Sequence, residues 1–559
     1  MRKGGRKPWR GRACVAALLG LLASCAGHPP APPSTDIDDT GLREALRVLA
    51  SDEYEGRKPG TPGEDKTVEY LVAQFRRLKL KPGNGDSYLQ QVPLVELTAV
   101  GDASLTVSGR GLPRPLENGK NMVIWSPRET PETALQQSEL IFVGYGIVAP
   151  EYGWNDYAGA DVHGKTVVVL VGDPGSVGGD PKLFRGDAGS VFGRPGYKLE
   201  EAARHGAAGV LLVHDERAAG YPWSVVVNDN AGARLQAESA DGNAGRAAIE
   251  GWLSAPAARG IFTQAGVDFA AVTAAAAQTG FKSVPLGLKA DAVVHHAVRH
   301  FTSPNVIAIL PGRGRRHDAV IYTAHWDHLG RQSAAAGGGI FNGAVDDASG
   351  VAGLLMLAQS FTRTQPPADR SIAFIAFTAA DPGLLGSAYY AENPVIPLRD
   401  TVGILNLDRL HVGGPTRDLV IFGADNSEME DTLRDAALLQ GREVHADPHL
   451  EQGAYLASDS FSLARAGIPV LYATAGPDDS ARGPAWGRLQ SDDYRQHRFH
   501  QTGDKYSADW DLRGAEDDLR LYYEVGNRLA RSRRFPRWYP NSEFRGHRAH
   551  GSSPDVPAK

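Results

Sequence analysis

The sequence predicts an α/β protein in which a mixed sheet is sandwiched by helices, with a mostly-β module inserted into the chain. Three observations predict this fold class. Two apolar runs with helical spacing lie between Asp36 and Leu80. From about Leu140 onward, short β-branched runs alternate with Gly-rich turns. After about Val284, strands alternate with helices, which is typical of a sheet that helices cover on both faces.

Length and composition exclude some classes of protein. A chain of 559 residues is too long for a single small binding module, and it suggests two to four domains of roughly 150 residues each. Hydrophobic residues at 42% and charged residues at 22% suffice for ordinary cores and do not fit a disordered chain. With 59 basic and 65 acidic residues, the net charge is −6, so we expect no nucleic-acid partner.

The first 25 residues have the layout of a bacterial secretion signal. Six arginines and lysines lie among the first twelve residues, and the apolar run Ala13–Ala23 follows. This run is shorter than the ~20 residues that a membrane-spanning helix needs. It ends in Ser24-Cys25 and resembles the lipobox of bacterial lipoproteins. We expect a signal peptide over residues 1–24, lipidation at Cys25 and a Pro-rich tether over 25–35; an ordinary secretory signal with a chance cysteine is the alternative.

This processing would determine where the protein lies and whether it can form disulfides. Cys14, the only other cysteine, falls within the removed segment, so the mature chain would have no disulfide. The lipid anchor would hold the protein in the cell envelope. Because Ala26 follows the cysteine and no Asp does, we expect the outer membrane, with the protein facing the periplasm or the outside.

Polar clusters follow the predicted strands of the C-terminal half. Histidine and carboxylate side chains are ligands that zinc prefers, and the carboxyl ends of neighbouring strands meet at one edge of a sheet. A single aspartate or histidine at such a position would most simply be a helix cap or a structural histidine, but five such clusters together predict a metal site. The clusters are TAHWDHLG with His325 and Asp327, VDDASG with Asp346, ADPGLLGS with Asp381, LNLD ending at Asp408, and FHQTGD with His500.

These five ordered clusters resemble the two-zinc aminopeptidases related to bacterial leucine aminopeptidases and glutamate carboxypeptidase. The resemblance extends to EYEGRKPGTPGE near the N-terminus and to the inserted module, which looks like a protease-associated domain. It implies a zinc exopeptidase fold. The expected domains are an N-terminal part of the peptidase domain over 36–115, the inserted domain over 116–284, the main peptidase domain over 285–535 and a tail over 536–559.

The resemblance also implies a role for each site residue. Asp346 would bridge two zinc ions, with His325 and Asp408 completing one site and His500 and Asp381 the other. Asp327 would play the catalytic role of orienting the imidazole of His325. The implied chemistry is metal-assisted hydrolysis of an amide bond, with peptide or protein N-termini as substrates.

The sequence departs from the family at two adjacent positions. The family has two glutamates there, a general base followed by a zinc ligand, and this chain has Ala380 and Asp381. A methyl group cannot accept a proton, and losing a general base typically costs about 10²–10⁴ in rate. Aspartate is shorter than glutamate by about 1.5 Å, so one of the two zinc ions is expected to bind more weakly. Another carboxylate could substitute as the base, and Asp347, which is adjacent in sequence to Asp346, is the candidate. Relatives also commonly have histidine at the position of Ser460.

We therefore expect a membrane-anchored zinc aminopeptidase with impaired or rerouted proton transfer. The alternative is a catalytically weak or inactive homologue that binds peptides as a lipoprotein of the cell envelope. A two-zinc hydrolase of another amide is a third option. Because the segment from about Leu116 to Val284 has no cluster of metal-type ligands, we expect it to shape access to the cleft and to supply no chemistry.

Overall fold

The computed structural model describes residues 37–175, 182–186, 189–230, 232–332 and 338–546. The predicted signal peptide, the tether and the lipidation site Cys25 lie outside these residues. Among the described residues, no helix has the length and apolar character needed to cross a membrane.

The described chain alternates between helices and strands. The helices are α1 Asp39–Leu49, α2 Pro62–Arg77, α3 Pro195–Arg204, α4 Glu216–Ala219, α5 Trp223–Asn230, α6 Ala255–Ala265, α7 Phe269–Ala276, α8 Gly350–Arg363, α9 Leu385–Glu392, α10 Met429–Leu439, α11 Asp459–Arg465, α12 Pro484–His497 and α13 Arg513–Arg531. The strands are β1 Lys81–Pro82, β2 Leu89–Ala99, β3 Ser104–Ser108, β4 Arg114–Leu116, β5 Met122–Trp125, β6 Glu132–Phe142, β7 Val148–Ala149, β8 Trp154–Asn155, β9 Thr166–Leu170, β10 Gly209–Val213, β11 Arg234–Ala237, β12 Ile249–Leu253, β13 Val284–Leu310, β14 Ala319–His325, β15 Gly330–Gln332, β16 Gly339–Phe341, β17 Ser371–Phe377, β18 Thr401–Asn406, β19 Asp418–Phe422, β20 Glu443–Ala446 and β21 Val470–Ala475.

A mixed sheet forms the centre of the C-terminal half, which confirms the predicted fold class. Its strands follow the order β11, β2, β13, β17, β14, β18, β21, β19 and β20, and β1 also pairs with β13. Strands β17, β14, β18 and β21 run parallel. Strand β13 is antiparallel to its neighbours β2 and β17, whereas β19 is antiparallel to β21 and parallel to β20. Helices α1, α8 and α13 contribute apolar side chains to the core on one face, and α9 and α11 to the core on the other.

A second mixed sheet lies in the N-terminal half, in the order β4, β3, β13, β6, β9, β10, β12 and β5. Strand β13 takes part in both sheets, because residues 284–295 pair with β6 and residues 296–306 pair with β2. The apolar run in the sequence predicts a strand only over residues 305–310, the last six residues of this 27-residue strand. Strand β3, which precedes the predicted boundary at residue 116, also pairs with β13 in this sheet.

A buried arginine joins the N-terminal region to the C-terminal half. Arg57 is 1% exposed, and its guanidinium donates hydrogen bonds of 2.6–2.9 Å to four backbone carbonyls. One carbonyl belongs to Leu49 at the end of α1, and the others belong to Trp326, Asn342 and Gly343. A planar guanidinium can satisfy several acceptors at once, whereas a shorter or apolar side chain cannot. Arg57 therefore fixes the loops that follow β14 and β16.

We predict that Arg57→Met lowers the free energy of unfolding by at least about 3 kcal/mol, because charged hydrogen bonds are lost and buried carbonyls are left unsatisfied. Urea unfolding followed by circular dichroism measures the change. Arg77→Met is the control, because Arg77 is exposed and its guanidinium bonds to Gln74 on the same helix. The control should differ from wild type by less than about 0.5 kcal/mol. Equal midpoints for both variants would contradict this role of Arg57.

Candidate metal centre

Three neighbouring parallel strands carry site residues at their carboxyl ends. His325 is the last residue of β14, Asp381 lies in the loop after β17, and Asp408 lies two residues after β18. Since β14 pairs with both other strands, these three side chains meet at one edge of the sheet. The strand interiors are fully buried, which explains their nearly continuous apolar sequences.

The remaining two predicted residues come from loops next to this edge. Asp346 precedes α8, and His500 follows α12. Gly343 has a φ of 54° and starts the turn that carries Asp346. A Cβ atom at Gly343 would lie 2.2 Å from the carbonyl oxygen of Asp346 and 2.5 Å from the His328 ring. Glycine is therefore required at this position for both conformational and steric reasons.

The structure brings all five predicted ligands together in two groups that share Asp346. One group is His325, Asp346 and Asp408, and the other is His328, Asp346, Asp381 and His500, with the ligand atoms of each group within 4.8 Å of one another. The Nε2 atom of His325 lies 3.2 Å from Oδ1 of Asp346. The Nε2 atom of His500 lies 3.5 Å from Oδ2 of the same carboxylate. The two oxygens of Asp346 thus face different imidazoles, as a bridging carboxylate requires.

Asp327 contacts His325 mainly through its backbone. Nδ1 of His325 lies 3.2 Å from the carbonyl oxygen of Asp327 and 3.7 Å from its carboxylate. The Asp327 carboxylate instead accepts a hydrogen bond of 2.9 Å from the backbone N–H of Ala380. Asp327 therefore links the His325 cluster to the loop that carries Asp381, in addition to its predicted contact with the imidazole.

Sequence analysis did not predict His328 as part of the site. Its Nδ1 lies 2.7 Å from Oδ2 of Asp381, yet neither atom has a partner in hydrogen-bonding geometry. Two ligand atoms of one metal ion lie close together without a hydrogen bond between them, because the lone pairs of both atoms point to the ion. His328 directly follows Asp327 in the TAHWDHLG cluster, so its position in that cluster was the available signal.

A second residue that sequence analysis did not predict is Asp229, from α5 in the segment expected to supply no chemistry. Its Oδ1 lies 2.6 Å from Nδ1 of His500. Nothing in the local sequence around Asp229 indicates this contact, because the two residues are 271 positions apart.

The electrostatics of the cleft favour a cation. Burial raises the pKa of Asp327 and of Asp408 above the ordinary value for a carboxyl group. Burial alone would lower the pKa of His325 and His500, but the surrounding carboxylates outweigh it and raise both values well above normal. Burial would likewise raise the pKa of Asp346, but hydrogen bonds to the two imidazoles hold it well below normal. The negative charge of the carboxylates thus attracts positive charge to the ligand atoms.

Further carboxyl groups lie buried beside the ligands, among them Asp347 and Asp459. Asp347 accepts hydrogen bonds from the backbone N–H groups of His325, Gly350 and Arg409 at 2.8–3.2 Å, which assigns it to holding the loops in place. Asp459 is 2% exposed, and its Oδ1 has no hydrogen-bond partner. Burial raises the pKa of Asp459 to about 7.

The ligand atoms fit zinc. Imidazole nitrogens and carboxylate oxygens are typical zinc donors, and the described residues include no cysteine. Both nitrogens of His328 and Oδ2 of Asp381 are buried without hydrogen-bond partners, which is costly unless another group satisfies them. A metal ion in the second group would satisfy the atoms that face it.

Comparison with known proteins agrees with this geometry. Residues 305–522 match Peptidase family M28, and this range includes every residue of the two ligand groups. A stretch of 93 residues is 34% identical to aminopeptidase YwaD of Bacillus subtilis (strain 168). That stretch covers 16% of this chain and 18% of the relative, so the chain matches less than a fifth of the relative's length.

The fold resembles that of solved aminopeptidases. The aminopeptidase from Aneurinibacillus sp. strain AM-1 superimposes with a TM-score of 0.52 at 19% identity, over 89% of this chain and 95% of that one. The zinc aminopeptidase BSAP from Bacillus subtilis has a TM-score of 0.46 at 18% identity, over 88% of this chain and 95% of its own. The first of these likenesses shows that the two proteins share a fold.

We predict that the shared carboxylate controls both metal sites. Asp346→Ala should lose most of the bound zinc, because both groups lose a ligand. Asp408→Ala should mainly lower the zinc affinity of the group that contains His325. Metal analysis of the purified protein after dialysis against a weak chelator measures the stoichiometry. Zinc binding should also weaken as the pH falls from 8 to 6, since the imidazoles must lose protons to bind metal. Equal zinc content in both variants would contradict a bridging Asp346.

Proposed function

We propose that this protein is a zinc-dependent aminopeptidase that hydrolyses the N-terminal peptide bond of peptides or proteins. The observation that carries this proposal is the shared carboxylate of Asp346, whose two oxygens face two separate groups of ligands. The match to Peptidase family M28 and the aminopeptidase relatives support the same reaction class. Two zinc ions per chain are proposed, one in each group.

The protein supplies ligands and orientation for this reaction. A pair of zinc ions in such a site lowers the pKa of a water molecule and polarises the scissile carbonyl. Asp346, His325 and Asp408 hold one side of the site, and His328, Asp381 and His500 hold the other. Arg409 flanks this arrangement, with its guanidinium Nε 3.3 Å from Oδ1 of Asp408 and thereby in place to orient that carboxylate.

Proton transfer is the weak step in this chain. Hydrolysis requires a group that takes a proton from the attacking water and delivers it to the departing amine. Ala380 offers no such group, and both oxygens of Asp347 are already engaged by backbone N–H groups. We therefore propose slow turnover by the wild-type protein. This departure also keeps the peptide-binding homologue as a second candidate function.

We predict that the double substitution Ala380→Glu with Asp381→Glu raises kcat by about 10²-fold or more, because it restores a base and full ligand reach. Initial rates on aminoacyl p-nitroanilides, with zinc content measured in parallel, test this. His325→Ala in the double variant should abolish the gain, because it removes a ligand. Ala380→Gln with Asp381→Glu is the matched control, since it adds similar bulk without a proton acceptor.

Other outcomes distinguish the alternatives. Efficient wild-type turnover that is lost in Asp347→Asn or in Asp459→Asn would show that this carboxylate transfers the proton, and Ala380 would then not be the defect. Zinc binding without turnover, even in the double variant, would favour the peptide-binding function. Absence of bound zinc in the wild-type protein would contradict the proposed enzyme.

We also propose that the mature protein is a lipoprotein of the cell envelope, anchored in the outer membrane through Cys25. The basic segment, the short apolar run and the cysteine in the first 25 residues support this. The anchor would place the peptidase where peptides of the envelope or the surroundings reach it.

We predict that Cys25→Ala abolishes lipidation and leaves the protein soluble or unprocessed. Metabolic labelling with a fatty acid and fractionation of membranes measure this outcome. Cys14→Ala is the control and should keep the label, since Cys14 falls within the segment that is removed. Fatty acid that still incorporates into Cys25→Ala would contradict the proposed anchor.

A further inference from the structure

Asp229 connects the inserted segment to the metal centre. It lies in the last turn of α5, outside residues 305–522 that match the peptidase family. Its Oδ1 lies 2.6 Å from Nδ1 of His500. The other nitrogen of the same ring, Nε2, lies 3.5 Å from both Asp346 and Asp381. The Nδ1 side of the imidazole therefore contacts the inserted segment, while the Nε2 side points to the metal centre.

The geometry determines which nitrogen of His500 can bind a metal. A histidine ligand binds through an unprotonated nitrogen, and its second nitrogen usually donates its proton to a carboxylate or carbonyl. With Asp229 accepting from Nδ1, the proton stays on Nδ1 and the lone pair of Nε2 points toward Asp346 and Asp381. The negative charge of Asp229 also makes the ring a stronger ligand.

The neighbouring residue of α5 holds the backbone at the same position. Nδ2 of Asn228 donates a hydrogen bond of 2.8 Å to the carbonyl oxygen of His500. His500 has a φ of 50°, a conformation that residues other than glycine adopt only when their surroundings impose it. Successive residues of one helix thus fix both the ring and the backbone of His500.

The two metal groups differ in this respect. Nδ1 of His325 contacts the carbonyl oxygen of Asp327, two residues away in the same loop. The group with His325 is therefore oriented from within the matched domain. Among the residues that the structure describes, the inserted segment contacts a ligand only in the group with His500.

We propose that Asp229 is a positioning residue for the metal group His328, Asp346, Asp381 and His500, so that the inserted segment controls zinc occupancy there. This inference rests on the proposed zinc function. Because coupling between two binding events is reciprocal, zinc binding should in turn hold α5 against the metal centre. The inserted segment would then do more than shape access to the cleft.

The first test measures zinc affinity by competition with a fluorescent chelator. We expect two zinc equivalents in the wild type, and Asp229→Ala should weaken only one of them, by about 10–100-fold. Asp229→Asn should have an intermediate effect, because it keeps a hydrogen-bond acceptor but loses the charge. Circular dichroism with chelator present checks that the variants fold as the wild type does.

Glu238→Gln provides the matched control. Glu238 also belongs to the inserted segment and contacts a histidine, His300, at 3.2 Å, but this pair is half-exposed and lies apart from the ligand groups. The variant Glu238→Gln should bind both zinc equivalents with the affinity of the wild type. The same loss of affinity in this control would show a general effect of charge and would overturn the role of Asp229.

Two readouts separate positioning from a merely structural role. The visible absorption of bound Co²⁺ reports the ligand geometry, and Asp229→Asn should change the spectrum of one equivalent only. Hydrogen exchange of residues 223–230 should slow when zinc is added to the wild type and not to Asp229→Ala. Two zinc equivalents bound with wild-type affinity by Asp229→Ala would overturn this inference alone. No zinc bound by the wild type would overturn the proposed function and this inference with it.

Discussion

The arrangement of the cleft depends on how much negative charge a protein interior can hold. Asp327, Asp346, Asp347 and Asp459 are each 3% exposed or less, and the ligand carboxylates of Asp381 and Asp408 lie beside them. An unpaired buried charge is very costly, so each carboxylate must be paired, protonated or bound to a cation. Backbone N–H groups satisfy Asp347, whereas Asp346 faces imidazoles. The negative charge that backbone N–H groups do not satisfy lies on the carboxylates of the two ligand groups, and a divalent cation in each group would neutralise it.

The sheet explains how these charges come so close together. Parallel strands place the ends of β14, β17 and β18 at one edge, so three loops carry ligands into the same small volume. Arg57 then fixes two of the adjoining loops through backbone carbonyls, and its buried charge also interacts with carboxylates of the site, including that of Asp381. Apolar cores pack against both faces of the sheet and support the strands whose ends carry the ligands.

What the sequence could predict follows from the range of the interactions. His325, Asp408 and the strands that precede them were predictable, because a buried strand and the polar residue at its end are adjacent in sequence. Strand β13 was predicted only in part, because buried and more exposed residues alternate over 286–297 and residues 298–302 are not buried, so this part lacks the continuous apolar run of the central strands. Asp229 and the four carbonyls of Arg57 could not be predicted, because those contacts join residues far apart in the chain.

The loop after β17 and the inserted segment together show where this chain differs from a general two-zinc site. Asp381 reaches less far than a glutamate, and its carboxylate lies against His328, which offers a further nitrogen to the same group. In the proposed enzyme, an additional imidazole would offset the shorter carboxylate as a ligand, but it would not supply the proton acceptor that we propose is missing at Ala380. Metal binding and proton transfer are thus separable requirements. This chain has the ligand atoms for the first requirement, and the buried carboxyl group of Asp459, with its unpartnered oxygen, is the group that we propose to test for the second.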